Sequence, residues 1–211
     1  MKKTILLTIV MTAVLALVLS IGVFAAEDPV APPQEPGQQI QPIEEEPSLL
    51  SRVFNGGAIA IIGAAVAVGL AGIGSAVGVG MVGEATAGLL SENPNAFGKA
   101  FLLMALPMTQ GIYGLVIAFL IVLKGGLFEA GGMDNLLALS VEEGAYYLMS
   151  ALPIGIVGLI SAIKQSRVSV SGINLLSKRP DQVIKAVTSA ALVETYAIFA
   201  LLISVLLVLI G

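Results

Sequence analysis

The sequence predicts an all-α membrane protein whose four transmembrane helices form two tandem parallel-repeat hairpins behind an N-terminal signal peptide. Three observations carry that prediction. Hydrophobic residues make up 57% of the 211 and charged residues only 11%, against about 25% charged in soluble domains, so a water-soluble fold has nowhere to put the apolar surface. Apolar runs long enough to cross a roughly 30 Å hydrocarbon core recur along the chain. The chain also matches itself when slid by 86 positions. With no Cys and no His, thiol nucleophiles, disulfides, histidine bases and the common zinc sites are excluded together.

Lys2 and Lys3, an apolar stretch from Ile5 to Val23, and Phe24-Ala25-Ala26 ahead of Glu27-Asp28 follow the order of a secretory signal. Val23 and Ala25 suit the small-residue positions of a cleavage site, so residues 1–25 are expected to be a signal peptide. Their apolar part is long for a signal, and the alternative is a retained anchor helix. Residues 26–55, rich in Pro, Gln and Glu, are expected to form an extended, solvated linker.

Four apolar segments follow: Gly56–Leu90, Ala96–Leu123, Gly144–Leu176 and Gln182–Ile210. Each is expected to be a transmembrane helix, because a helix satisfies its backbone polar groups internally in lipid. The first and third exceed what a bilayer requires and are expected to tilt or project. At the 86-residue offset, Leu89-Leu90-Ser91-Glu92-Asn93-Pro94 overlies Leu175-Leu176-Ser177-Lys178-Arg179-Pro180, and Gly69, Gly72, Ser75 and Ala76 overlie Gly155, Gly158, Ser161 and Ala162. That agreement indicates a duplicated hairpin: residues 56–123, an external connection at 124–143, and residues 144–211. The turn near residue 180 and its flanks carry Lys164, Arg167, Lys178, Arg179 and Lys185, whereas the connection is acidic. By the positive-inside rule both hairpin turns face the cytoplasm, and the mature N-terminus and the C-terminus lie outside.

The first segment carries small residues at four-residue spacing, Gly74/Gly78 and Gly72/Ala76/Gly80, which let helix backbones approach closely in lipid. A tightly packed inner layer shared between many copies is expected, with ordinary packing inside one chain as the plainer reading. Gly78-Val79-Gly80-Met81-Val82-Gly83 fits GxGxxG but lies inside an apolar helix without a preceding strand, so no nucleotide site is expected.

Glu194 is the principal candidate functional residue. It lies 14 residues past Pro180, about 20 Å along a helix and deep in the bilayer, where an acid costs roughly 2.5–3.5 kcal/mol or more. Thr109 and Gln110 lie 15 and 16 residues past Pro94, and Gln165 lies 15 before Pro180, so three segments bring oxygen donors to one depth. Pro107 leaves the Leu103 carbonyl without its helical partner and distorts the turn containing Leu106. One carboxylate, two amides, a hydroxyl and a carbonyl make an oxygen cage suited to a hard cation. The surrounding oxygens favour Na⁺ over a bare proton. The plainer readings are a permanently protonated structural Glu and separate interhelical hydrogen bonds. At the repeat offset Glu194 faces Met108, so there is one charge carrier per four helices. Glu84 lies nearer the interface and is expected to be solvated or pore-facing.

These residues, over roughly 56–211, resemble the proteolipid subunit, K or c, of V-type rotary ATPases, above all the bacterial Na⁺-translocating type. The resemblance rests on the duplicated hairpin, the Gly-rich first segment, Leu106-Pro107-Met108-Thr109-Gln110-Gly111-Ile112-Tyr113, Gln165 and Val193-Glu194-Thr195-Tyr196. It implies a homo-oligomeric rotor ring in the cell membrane, turning against an a/I-type stator subunit and joined to central-stalk subunits. It further implies a non-catalytic subunit that transports Na⁺, with H⁺ possible. The Na⁺ ligands would be the Leu106 carbonyl and the side chains of Thr109, Gln110, Gln165 and Glu194, with Tyr113 bonded to the glutamate. No nucleic-acid partner is expected. The rival class is a non-rotary membrane transporter or pore protein, against which the parallel repeat and its small residues argue.

Overall fold

The computed structural model describes residues 55–211. The expected signal peptide and, apart from its last residue, the expected linker lie outside the described residues. Within them the chain is helical with no strand: α1 (Gly56–Glu92), α2 (Phe97–Ala105), α3 (Thr109–Lys124), α4 (Met133–Leu137), α5 (Val141–Lys178) and α6 (Val183–Ile210). A 3₁₀ turn over Leu106–Met108 joins α2 to α3 in one span. Four stretches are long and apolar enough to cross a membrane: Gly56–Glu92, Pro94–Lys124, Val141–Lys178 and Pro180–Ile210. At 37 and 38 residues, α1 and α5 are each about 55 Å long.

The ends of these helices follow from local chemistry. Asn55 caps α1, its side-chain oxygen accepting from the Ala58 N–H at 2.8 Å. At α5 the Ser140 hydroxyl accepts from the Glu143 N–H and the Glu143 carboxylate accepts from the Ser140 N–H, a reciprocal cap that starts the helix three residues before the expected Gly144. Both hairpin turns use one device. Asn93 (φ −139°, ψ 86°) and Arg179 (φ −141°, ψ 78°) leave the helical region, as residues preceding a proline do. Each N–H still closes the last helical turn, on Leu89 and on Leu175. The duplication therefore extends to backbone torsion angles.

The α1–α5 contact is the most extensive between helices. A Cβ built on Gly63 would meet Leu148, on Gly74 would meet Leu159, and on Gly78 would meet Ala162. These pairs are separated by a near-constant interval in sequence, so α1 and α5 run parallel with repeat-equivalent positions almost level. Glycine is required where the backbones touch: a Cβ at Gly74 would lie 2.7 Å from the Leu159 Cα and carbonyl oxygen. Gly74→Ala is therefore expected to destabilise the fold by about 1–3 kcal/mol, the usual cost of overpacking. Gly88→Ala, whose Cβ would meet nothing within 4 Å, should be neutral or slightly stabilising in a helix. Thermal unfolding in detergent compares the two, and equal effects would rule out close approach as the reason for glycine at residue 74.

Two apolar clusters fill the bundle. One, toward the α3–α5 connection, includes Ala64, Ile117, Ile121, Tyr147, Ile154 and Val208. The other, toward the hairpin turns, includes Val82, Leu103, Ile173, Leu176 and Ala186. Between them lie four of the buried polar residues, Ser75, Gln110, Ser161 and Gln165; Thr86, Ser150, Ser166, Ser169 and Ser204 are also buried. Burying such groups is costly unless they are bonded, which makes this layer the place to look for function.

Candidate ion-binding site

Pro107 prepares the site. Its ring cannot donate the helical hydrogen bond, and the backbone tightens into the 3₁₀ turn over Leu106–Met108. Ser75 of α1 repairs the far side of that break: its hydroxyl accepts from the Gly111 N–H at 2.7 Å and donates toward the Met108 carbonyl at 3.4 Å. The restart of α3 directs Gln110 into the bundle, where it is fully buried.

Gln165 of α5, also fully buried, links three helices. Its Oε1 accepts from Gln110 Nε2 at 2.6 Å. Its Nε2 donates to the Ala190 carbonyl of α6 at 3.2 Å and reaches Glu194 Oε2 at 3.5 Å. The half-buried Glu194 accepts from the Tyr113 hydroxyl at 2.6 Å through Oε1. Ser161 adds a tie beside it, donating to the Val193 carbonyl at 3.2 Å.

The sequence-predicted residues thus divide into two groups. Gln110, Gln165, Tyr113 and Glu194 form one hydrogen-bonded chain across α3, α5 and α6. Thr109 and Leu106 are tied mainly to each other, the Leu106 carbonyl accepting from both the Thr109 N–H and, at 2.9 Å, its hydroxyl. That hydroxyl also neighbours the Tyr113 hydroxyl. Glu84 is exposed on α1, away from the layer. Sequence reasoning did not assign roles to Ser75, Ser161 or the Ala190 carbonyl. The two serines carried a signal, being repeat-equivalent polar residues on otherwise small, apolar stripes.

One atom shows what the arrangement can do. Gln110 Oε1 is buried without a hydrogen-bond donor, although such oxygens are normally paired. An acceptor left open in a layer that is hydrogen-bonded to a carboxylate through Gln165 is suited to a cation. Among the described residues no three Asp, Glu, His or Cys side chains cluster together, and Glu194 is the acid joined to the hydrogen-bonded chain, so the site can offer one carboxylate charge. A monovalent ion held by neutral oxygens neutralises it, whereas a divalent ion would leave a net charge in the span. Hard oxygen donors suit an alkali cation.

Residues 62–121 and 148–207 each match the family of the ATP synthase C subunit. The chain is 46% identical over 156 residues to V-type sodium ATPase subunit K of Enterococcus hirae, covering 74% of this chain and 94% of that protein. It is 36% identical over 149 residues to A-type ATP synthase subunit K of Methanocaldococcus jannaschii, covering 71% of this chain and 61% of that protein.

Proposed function

The chain belongs to the ATP synthase C-subunit family, and from that premise we propose that it is the non-catalytic rotor-ring subunit of a V-type ATPase membrane sector, carrying Na⁺ on Glu194. The observation that carries the ion assignment is the Tyr113–Glu194–Gln165–Gln110 chain ending in an acceptor without a donor. The name of the E. hirae relative supports sodium as the cargo. The Leu106 carbonyl and the side chains of Thr109, Gln110, Gln165 and Glu194 supply the ion's oxygens, while Tyr113 holds the carboxylate in place.

In this reading the multi-pass subunit forms a homo-oligomeric ring in the cell membrane, with its hairpin turns on the cytoplasmic side and its mature termini outside. Glu194 takes an ion from one half-channel of an a/I-type stator subunit. The neutralised site then passes along lipid as the ring turns, and the ion leaves through a second half-channel. Neutralisation is essential because an unpaired carboxylate facing hydrocarbon is expensive. Moving one charge against 100 mV takes roughly 2.3 kcal/mol, and that work reaches the ring from the catalytic sector through the central stalk. One carrier per four helices lowers the number of ions moved per turn and lets the same ATP energy support a steeper gradient.

A carbodiimide reacts with a protonated carboxyl group, so it should label Glu194 in membranes poor in Na⁺ and fail to label it when Na⁺ is added. Labelling that ignores Na⁺ would overturn sodium in favour of H⁺. Gln110→Ala should raise the Na⁺ concentration needed for protection roughly 10-fold, given about 1–2 kcal/mol for one lost neutral ligand. An unchanged requirement would remove Gln110 from the ligand set.

A further inference from the structure

We propose that Ser75 and Ser161 are positioning residues for the ion site: from α1 and α5 they fix the backbone beside the ligands of α3 and α6, and so set which alkali cation fits. The proposal rests on the ion-binding reading above and names what gives that site its selectivity.

A buried hydroxyl on a helix has a partner close at hand, the carbonyl three or four residues back. Several serines of the bundle use it: Ser150, Ser166, Ser171 and Ser189 donate to Tyr146, Ile163, Arg167 and Lys185 of their own helices at 2.8–3.0 Å. Ser75 and Ser161 forgo that partner and reach across to another helix. Ser75 accepts from the Gly111 N–H of α3 at 2.7 Å and donates toward the Met108 carbonyl at 3.4 Å, and Ser161 donates to the Val193 carbonyl of α6 at 3.2 Å. The two serines are repeat-equivalent, 86 positions apart, and both are buried.

The atoms they hold adjoin the ligands. Met108 and Gly111 bracket Thr109 and Gln110, and Val193 precedes Glu194. Holding the backbone on both sides of the Thr109–Gln110 pair fixes where those side chains depart. Holding the carbonyl before Glu194 resists rotation of α6 about its own axis. Together the two ties set how far the α3 oxygens stand from the carboxylate.

The frame behind the serines is stiff. Ser75 adjoins Gly74, where a Cβ would lie 2.7 Å from the Cα of Leu159, two residues before Ser161. The α3 helix is seated as closely, since a Cβ on Gly111 would stand 3.1 Å from the Ser75 hydroxyl oxygen and 3.2 Å from its Cβ. Close-packed interiors have low compressibility and transmit strain, so the serines pass the fixed α1–α5 geometry to both walls of the site. Selectivity between hard cations depends on cavity size, ligand number and flexibility. The serines reduce flexibility and add no ligand.

Losing either hydroxyl therefore leaves every ligand in place and frees one wall to move. Hydrogen bonds behind metal ligands typically account for about 10- to 100-fold in affinity. Measured as ²²Na⁺ binding to the purified ring with Li⁺ as competitor, Ser75→Ala and Ser161→Ala should each weaken Na⁺ by about 10-fold and shift the Na⁺-to-Li⁺ affinity ratio by about threefold or more. Ser161→Thr keeps the donor and should restore the unsubstituted values. Ser150→Ala is the control: it removes a buried hydroxyl from the same helix, 15 residues from Gln165 or about 22 Å along the axis, and should leave Na⁺ binding and the ratio unchanged.

An alanine variant with a lower thermal midpoint and an unaltered ratio would make that serine a packing strut and overturn its role. Ser161→Ala decides the matter if Ser75→Ala does not assemble. A ratio shifted equally by Ser150→Ala would trace the effect to general loosening and overturn the proposal. If the unsubstituted ring binds no ²²Na⁺, the ion reading itself falls; if it binds ²²Na⁺ and neither alanine variant changes that binding, only the positioning role falls.

Discussion

Glu194→Gln should abolish ATP-driven ion transport and leave the ring assembled. An amide has the shape of the carboxylate and can still accept from the Tyr113 hydroxyl, which lies 2.6 Å from Oε1, so the local packing survives. The lost element is the single negative charge of the layer. At an effective dielectric constant of about 20, two unit charges 4 Å apart attract by about 4 kcal/mol. Losing that attraction weakens cation binding about 1,000-fold. Proteoliposomes containing the reassembled complex should show no ²²Na⁺ uptake above background, with the oligomer unchanged on a native gel. Uptake at even a tenth of the original rate would mean that the charge is carried elsewhere.

Gln165→Ala should be the next most damaging change, and in two ways. This fully buried residue holds Gln110, the Ala190 carbonyl and Glu194 at once. Its removal leaves Gln110 Nε2 and Oε1 both without partners and opens a cavity in the polar layer. Losing a hydrogen bond to a charged group costs about 1.5–3 kcal/mol, so Na⁺ binding to the purified ring should weaken roughly 10- to 100-fold. An unsatisfied buried amide adds about 1–3 kcal/mol of destabilisation, visible as a lower thermal midpoint. A lower midpoint with Na⁺ affinity changed less than threefold would make Gln165 a strut between helices and exclude it as an ion ligand.

The polar layer was legible from counting. Bilayer thickness and a fixed rise per residue turn sequence separation into depth, which is why Thr109, Gln110, Gln165 and Glu194 could be placed at one level from their distances to Pro94 and Pro180. Counting gives depth but no azimuth. Whether two residues at one level touch depends on how each helix is rotated against its neighbours. That is why the direct Gln110–Gln165 bond emerged only from the packed bundle.

The prolines show the same division. Pro107 and Pro153 both interrupt apolar segments, yet Pro107 breaks its helix into a 3₁₀ turn while Pro153 lies within an unbroken α5. The difference lies in the neighbours. At Pro153 the adjoining Ile154 N–H bonds the buried Ser204 hydroxyl of α6 at 3.2 Å, and such borrowed partners let proline persist in membrane helices. At Pro107 the Ser75 hydroxyl instead serves the far side of the break, at the Met108 carbonyl and the Gly111 N–H.

By itself the sequence determined the four spans, the duplicated hairpin and the single acid opposite Met108, because hydropathy, length and repetition are properties of a line. Only the tertiary structure decided which oxygens meet, which glycine face is filled and which stays open, because those outcomes depend on the rotation and close approach of helices that the line does not contain.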